Sequence, residues 1–202
     1  MPLVRKPSPP TEMPTPDGRK ISELLVDGSD DERWTAARSA PTLPDALPLL
    51  TDALSRERVP WVREAIFTAL AKISSPESAA VALPYIRSDD ASQRTAALDA
   101  LRAMPAAAAN HLPRLLKDTD TDVRLLACEI ARALPADQAS KMLGDLLERE
   151  VNTNVCAAAV EVLAETGNVE SLPVLARCAA RFPDDPFLKF AVEIARDRIG
   201  SR

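Results

Sequence analysis

Few side chains in this 202-residue sequence could carry out covalent or metal chemistry. His111 is the single histidine, and its neighbours Asn110 and Leu112 supply neither a nucleophile nor a carboxylate to orient the ring. Zinc, haem and dinuclear iron sites need several ligands, which one histidine cannot provide. The sequence therefore predicts no catalytic residue, no metal site and no cofactor, and it places His111 at the surface where a helix starts.

The three cysteines, Cys128, Cys156 and Cys178, lie in Ala-rich stretches, and their spacing matches no metal or redox motif. Their odd number, with an N-terminus (MPLVRKPSPP) that lacks the apolar core of an export signal, predicts free thiols in a reducing cytoplasm. A free cysteine is usually a buried small side chain, which is the role we favour. A redox or thioether site formed by Cys128 and Cys156 is the alternative.

The amino-acid composition limits which fold classes and which classes of partner fit this chain. Aromatic residues make up 3% of the chain, with five Gly and eighteen Pro, which favours short helices separated by proline stops over a β-sandwich. The net charge of −5 disfavours binding to nucleic acid, which needs a positive field. No run of 18 apolar residues occurs, so the sequence predicts no membrane-spanning helix.

An internal repeat organises the chain after residue 17. Four similar stretches start at Val62, Gln93, Val123 and Val155, at intervals of 30 to 32 residues. Small or apolar residues recur in them at offsets 4, 8 and 11, which trace one stripe of an α-helix. Degenerate outer copies begin near Arg33 and Leu188. Each copy predicts one helix, which we call the first helix of its repeat.

A second signature alternates with the first. Leu-Pro or Leu-Gly pairs recur between the first helices and are followed by apolar residues; they are Leu47-Pro48, Leu83-Pro84, Leu112-Pro113, Leu143-Gly144 and Leu172-Pro173. Each pair predicts a second helix in its repeat. Asp-rich stretches between repeats predict caps for the first helices, because Asp and Ser oxygens accept hydrogen bonds from free N–H groups at a helix start.

This repeat resembles the HEAT repeat, and more narrowly the short bacterial HEAT-like repeats named after the phycobilisome bilin lyases. The clearest copy runs from Asp118 through Asp120 and Asp122 to Arg124, and the resemblance covers about residues 21–200. It implies an all-α fold, a right-handed α-solenoid of about five helix pairs plus a terminal helix. We expect a single repeat domain over residues 18–202. A disordered tail over residues 1–17 has six prolines, and its Arg5–Pro10 segment fits a docking motif or a plain tether.

Arginine recurs at one position of the first helices, at Arg63, Arg94 and Arg124. The resemblance implies a structural ladder in which these arginines pair with the inter-repeat aspartates Asp89, Asp120 and Asp122. A basic stripe for phosphates or carboxylates is the alternative. The arginine position is expected to be lost in the first copy, where Trp34 takes it, and in the fifth, where Cys156 does.

The second helices are expected to line one face of the solenoid, and that face is the candidate partner-binding surface. Its candidate residues are mostly basic: Arg56, Tyr85, Arg87, Arg114, Lys117, Arg149, Arg177 and Arg181. They predict either a basic groove for an acidic partner or ordinary solvated helix ends, where Lys and Arg favour the negative end of the helix dipole.

The resemblance implies a non-catalytic, cytoplasmic scaffold or adaptor, with a regulatory role, that binds another protein through the second helices. A factor that assists chromophore or prosthetic-group attachment, as the bilin lyases do, is the alternative, and nucleic-acid binding is a weaker one. Trp34 and Trp61 fall at the starts of first helices, where they either close the end of the core or anchor a partner.

Overall fold

A computed structural model of the chain describes residues 18–201, and the predicted Pro-rich tail lies outside this range. Every regular element between these residues is helical, which confirms the all-α fold class. The chain divides after Ile73 into two compact units, which we call unit 1 and unit 2. The single repeat domain and the right-handed superhelix stay predictions. No helix in residues 18–201 combines the length and apolar character needed to cross a bilayer.

Unit 1 contains four α-helices and one short 3-10 helix. They are α1 (Gly18–Asp27), α2 (Asp30–Ser39), the 3-10 helix Ala40–Thr42, α3 (Ala46–Arg56) and α4 (Pro60–Ile73). The first helices α2 and α4 pack side by side, and α3 packs against α4 and α1. Leu50, Ile66, Phe67 and Leu70 are fully buried between them.

Unit 2 repeats the same arrangement over nine α-helices. They are α5 (Pro76–Ala82), α6 (Ala91–Ala103), α7 (Pro105–Ala109), α8 (Leu112–Leu115), α9 (Thr121–Ala131), α10 (Ala136–Leu147), α11 (Thr153–Thr166), α12 (Leu172–Arg181) and α13 (Pro186–Gly200). Two 3-10 helices, Leu83–Arg87 and Val169–Ser171, follow α5 and precede α12. The first helices α6, α9, α11 and α13 pack in a row, each on the next, while α10 packs on α12.

The Leu-Pro pairs mark breaks within second helices as well as the starts of second helices. Proline has no N–H to donate and is tolerated in the first turn of a helix, so α8 begins at Leu112 and α12 at Leu172. At Leu83 the same pair turns α5 into a 3-10 helix. The Leu47-Pro48 and Leu143-Gly144 copies lie within unbroken second helices, α3 and α10. Two of the predicted second helices are therefore split into short segments.

Predicted caps precede the first helices. The Asp90 carboxylate accepts hydrogen bonds from the N–H groups of Ser92 and Gln93, and Asp120 and Asp185 accept in the same way at α9 and α13. Ser29 forms a capping box at α2, where its side chain accepts from the Glu32 N–H group and the Glu32 carboxylate accepts from the Ser29 N–H group. The predicted role of the inter-repeat acids as caps is confirmed.

The apolar stripe of the first helices is buried as predicted. Val123, Ala127 and Ala131 of α9, at offsets 0, 4 and 8, are fully buried, and so are the corresponding residues of α11. The predicted alignment of the first copy is wrong by one residue, because α2 starts at Asp30. Arg33 is therefore the fourth residue of its helix, as Arg63 is in α4.

Candidate functional site

The single histidine lies apart from other reactive groups. His111 precedes α8, half-buried, as the predicted start of a second helix requires. Within residues 18–201 no cluster of three or more His, Cys, Asp or Glu side chains has the geometry to hold a metal ion.

Cys156 interacts with the thiol of Cys178 on α12, a pairing that the sequence did not predict, and the alternative site formed by Cys128 and Cys156 stays a prediction. All three cysteines are buried and free of disulfides. Hydrogen bonding from Cys156 lowers the pKa of Cys178, and Arg181 also lowers it, against the opposing effect of burial. Burial raises the pKa of Cys128 to about 12, so that thiol is unreactive.

Arg124 is held by a glutamate rather than by the predicted aspartates. Its Nε donates to Glu150 Oε2 at 2.7 Å, its Nη2 donates to Glu150 Oε1 at 3.0 Å, and its Nη1 donates to the Asp118 carbonyl at 2.8 Å. Glu150 lies just after α10, only 5% exposed, and its Oε1 also accepts from the N–H groups of Val151 and Asn152. The pair thus ties a first helix to the loop that starts the next repeat.

Ionisation of Glu150 is favoured by these contacts. Burial alone would raise the pKa of the carboxyl group, but hydrogen bonds from Arg124 and from the N–H groups of Asn152 and Val151 outweigh it and lower the pKa. The buried charge is therefore fully paired.

The same arrangement occurs in unit 1. Arg33 Nε donates to Glu57 Oε2 at 2.7 Å, and Glu57 Oε1 accepts from the N–H groups of Arg58 and Val59, each at 2.8 Å. We call each of these pairs an arginine–glutamate clamp. The first copy therefore keeps the arginine position, and the prediction that Trp34 replaces it is wrong. Both clamps have a signal in the sequence: a glutamate follows the second helix, 24 residues after Arg33 and 26 residues after Arg124.

Arg94 makes a different contact because the acid in the corresponding loop is shorter. That acid is Asp118, whose carboxylate pairs with Arg87 and accepts from the Asp120 N–H group at 3.0 Å. These contacts lower the pKa of Asp118, with the Arg87 hydrogen bond the largest cause. Arg94 Nη1 donates to the Ser88 carbonyl at 2.6 Å.

The other residues of the predicted arginine–aspartate ladder lie in the loops before the first helices and in the first turns of those helices. Asp120 is the cap of α9, and its carboxylate lies 3.9 Å from Arg87. Asp89 is exposed in the loop before α6, and Asp122 is exposed in the first turn of α9. Arg63 is half-buried in α4.

Three of the candidate binding arginines contact the neighbouring second helix. Arg181 Nη1 donates to the Glu148 carbonyl at 2.6 Å and Arg149 Nη2 to the Leu116 carbonyl at 3.1 Å, both at the ends of preceding second helices. Arg177 pairs with the Glu148 carboxylate and lowers its pKa. These side chains stabilise the repeat stack, because a positive charge is favourable at a helix C-terminus.

The other candidates on the second helices remain accessible. Arg56 pairs only within its own helix, with Asp52 in unit 1. Tyr85 is half-buried in the 3-10 helix Leu83–Arg87. Arg114 and Lys117 are exposed, and neither has an ion-pair or hydrogen-bond partner for its side chain within the described residues.

The first helices of unit 2 present a different surface. Arg132, at the end of α9, pairs with Glu129 on its own helix and with Glu161 and Glu165 on α11. These contacts raise the pKa of Arg132, with the Glu129 hydrogen bond the largest cause. The charges at this point of the first-helix surface are thus satisfied within the chain.

Exposed apolar side chains on α13 were missed by the sequence reasoning. Phe187, Phe190 and Ile194 are 68%, 60% and 37% exposed and follow one another at helical spacing. In unit 1, Trp61 is 40% exposed, and Trp34 is half-buried beneath the guanidinium of Arg38, 4.4 Å from its ring centre.

Comparison with known proteins supports the repeat. The family model for HEAT repeats matches residues 19–102 and 109–195. No curated protein matches the chain. The narrower resemblance to the phycobilisome lyase-type repeats stays a prediction.

Solved structures with a similar fold share little sequence with the chain. An engineered protein is 18% identical with a TM-score of 0.45, and the match covers 90% of this chain and 96% of that one. Human deoxyhypusine hydroxylase, in complex with glycerol, is 19% identical with a TM-score of 0.45, over 90% of this chain and 84% of that one. A designed armadillo repeat protein in complex with the peptide (KR)4 is 16% identical with a TM-score of 0.45, over 89% and 98%. These likenesses carry no argument about function.

Proposed function

Because the chain belongs to the HEAT-repeat family, we propose that it is a non-catalytic scaffold that binds another protein through its second helices. In unit 2 the proposed surface consists of the exposed side chains of α8, α10 and α12 and of the turn after α8; we call it the second-helix face. The observation that carries the proposal is that Arg114 and Lys117 on this face are exposed and form no ion pair or side-chain hydrogen bond within the described residues. By contrast, Arg132 at the end of the first helix α9 is paired with three glutamates.

A scaffold role agrees with the placement of the reactive side chains. Catalysis needs a nucleophile and a base within hydrogen-bond reach of each other in an accessible site. His111 forms no side-chain hydrogen bond or ion pair with another residue of 18–201, and the three thiols are buried. The proposal includes a cytoplasmic location, since buried free thiols persist in a reducing compartment. It includes no nucleic-acid partner, since the net charge is −5.

The test is a co-purification with charge-reversal variants of the full chain. Arg114→Glu combined with Lys117→Glu is expected to remove a specific co-purifying protein, identified by mass spectrometry. The matched control reverses Arg102 and Arg198, which are exposed on the first helices α6 and α13, and is expected to retain that protein. Retention by the second-helix variant with loss in the control would overturn the proposed face.

The alternative roles give different signals. Co-expression with a tetrapyrrole pathway followed by absorbance spectroscopy would reveal a bound chromophore, which the scaffold proposal does not expect. A titration with duplex DNA is expected to show no salt-sensitive binding. A chromophore band, or affinity for DNA that falls steeply with salt, would replace the scaffold proposal with the corresponding role.

A further inference from the structure

A cavity of about 510 Å³ opens on the second-helix face of unit 2, between α10 and the segment that leads into α12. We call it the α10–α12 groove. Small side chains form its base, among them Gly144 and Ser171. A Cβ atom built on Gly144 would meet only the Val174 side chain, at 3.9 Å, so the groove owes part of its depth to the missing side chain. Its volume is in the range of pockets that bind ligands.

The charge of the groove is strongly negative. Four carboxylates line it, from Asp137, Asp145, Glu148 and Glu170, against one ammonium group, that of Lys141. Glu148 is paired with Arg177. The other three carboxylates have no ion-pair partner within residues 18–201.

A hydroxyl group of a largely buried residue also lines the groove. Ser171 is 5% exposed and lines the cavity, and its Oγ has no hydrogen-bond partner among the described residues. This oxygen is not among the buried side-chain atoms that lack a partner, so it is open to the groove and can accept a hydrogen bond from a ligand. This observation is independent of the carboxylates and points to the same kind of ligand, one rich in N–H donors.

The groove runs along the surface where two packed helices, α10 and α12, meet. An extended chain or a long side chain can lie along such a furrow, and we take this shape for the ligand. Arginine suits the site best, because its five N–H donors match carboxylate oxygens in pairs and also reach a hydroxyl group.

We propose that the α10–α12 groove binds an extended, arginine-containing segment of the partner protein. This inference rests on the scaffold function proposed above and names the chemistry of the partner. The charge of this groove is opposite to that in one of the two expectations from the sequence, a basic groove for an acidic partner; the other expectation was solvated helix ends. The reason is that Arg149, Arg177 and Arg181 use their charges within the repeat stack, whereas Asp137, Asp145 and Glu170 do not.

The direct test measures binding of a fluorescent hexa-arginine peptide to the purified full chain by anisotropy. Asp145→Asn combined with Glu170→Gln is expected to weaken binding at least about tenfold. The control, Asp31→Asn combined with Glu64→Gln, removes the same charge from exposed positions of unit 1 and is expected to change affinity less than about twofold. Absence of binding, or equal weakening in both variants, would reduce the interaction to general attraction and overturn the proposal.

A steric variant and a competitor complete the test. Gly144→Leu fills the groove without a change of charge and is expected to weaken binding at least about tenfold, while Gly144→Ala verifies that α10 accepts a side chain at this position. Unchanged binding by the leucine variant would overturn the proposal. Spermine that displaces the peptide at a lower concentration of charge than arginine oligomers do would assign the groove to a small polyamine and overturn the protein partner. A captured partner that depends on Arg114 and Lys117 but not on Asp145 would refute only this inference and leave the scaffold function standing.

Discussion

Glu150 is the residue whose loss should most clearly expose how neighbouring repeats are joined. Its carboxylate accepts two hydrogen bonds from Arg124, at 2.7 and 3.0 Å, and two from the backbone N–H groups of Val151 and Asn152, at 3.0 and 2.9 Å. Glu150→Ala removes all four and leaves the half-buried Arg124 guanidinium with carbonyl and hydroxyl partners only.

The expected cost follows from that count. Removing one partner of a buried ion pair destabilises a protein by about 3–5 kcal/mol, because the other charge stays buried. Glu150→Gln keeps an oxygen that accepts from the two N–H groups, but it loses the charge that faces Arg124. Since a hydrogen bond to a charged group contributes about 1.5–3 kcal/mol, we expect Glu150→Gln to cost about 2 kcal/mol. The control Glu148→Gln removes the same charge from an exposed pair with Arg177 and should change the free energy of unfolding much less than Glu150→Gln does, because solvent screens that pair.

Urea unfolding followed by far-UV circular dichroism measures these free energies. A double-mutant cycle with Arg124→Ala isolates the pair, and we expect a coupling energy of at least about 2 kcal/mol. A coupling below about 0.5 kcal/mol, or equal destabilisation by Glu150→Gln and Glu148→Gln, would refute the clamp as a stabilising contact.

Three further predictions concern pH, the core and the glycines. The pKa of Glu150 is lowered in the fold, so its contribution is present above the unfolded value of about 4.3 and is lost as the pH falls through the lower, folded value. The stability difference between wild type and Glu150→Gln should therefore shrink in urea titrations below about pH 4; a constant difference would contradict this. Leu101→Ala empties a fully buried position and should cost about 2–5 kcal/mol, seen as a lower melting temperature, and an unchanged melt would contradict the repeat register. Gly144→Ala should stabilise the chain by up to about 1 kcal/mol, because its position in α10 is open. Gly167→Ala should destabilise it by about 1–3 kcal/mol, because the new Cβ would lie 2.5 Å from the Leu163 carbonyl oxygen; equal melting temperatures for the two variants would contradict this reasoning.

The helices, their buried stripe and their caps could be read from the sequence because each depends on local spacing. An apolar residue every three or four positions determines which side of a helix is buried. Asp90 or Asp120 reaches N–H groups only two or three residues away, so the cap is visible in the sequence itself. The Leu-Pro pairs predicted helix starts correctly, but they did not predict which second helices are broken, since α3 is continuous with Pro48 in its first turn and α10 is continuous with Gly144 at that position.

The partners of the arginines were decided by the tertiary structure. Arg124 and Glu150 are 26 residues apart, and they meet because α10 returns the chain to the start of the next repeat. In the neighbouring repeat the acid at the corresponding position is Asp118, whose side chain is one methylene group shorter than that of Glu150. There Asp118 pairs with Arg87, and Arg94 donates to a carbonyl group instead.

The charge of the candidate binding surface was also decided by the tertiary structure. The sequence alone shows that the second helices carry many arginines, but not which of these arginines pair with the ends of neighbouring helices. Arg181 and Arg149 reach carbonyl groups 31 to 34 residues away, and the carboxylates of the α10–α12 groove are left without such partners. Local spacing determines which face a residue occupies, whereas the length of each side chain and the path of the loops determine what it meets there.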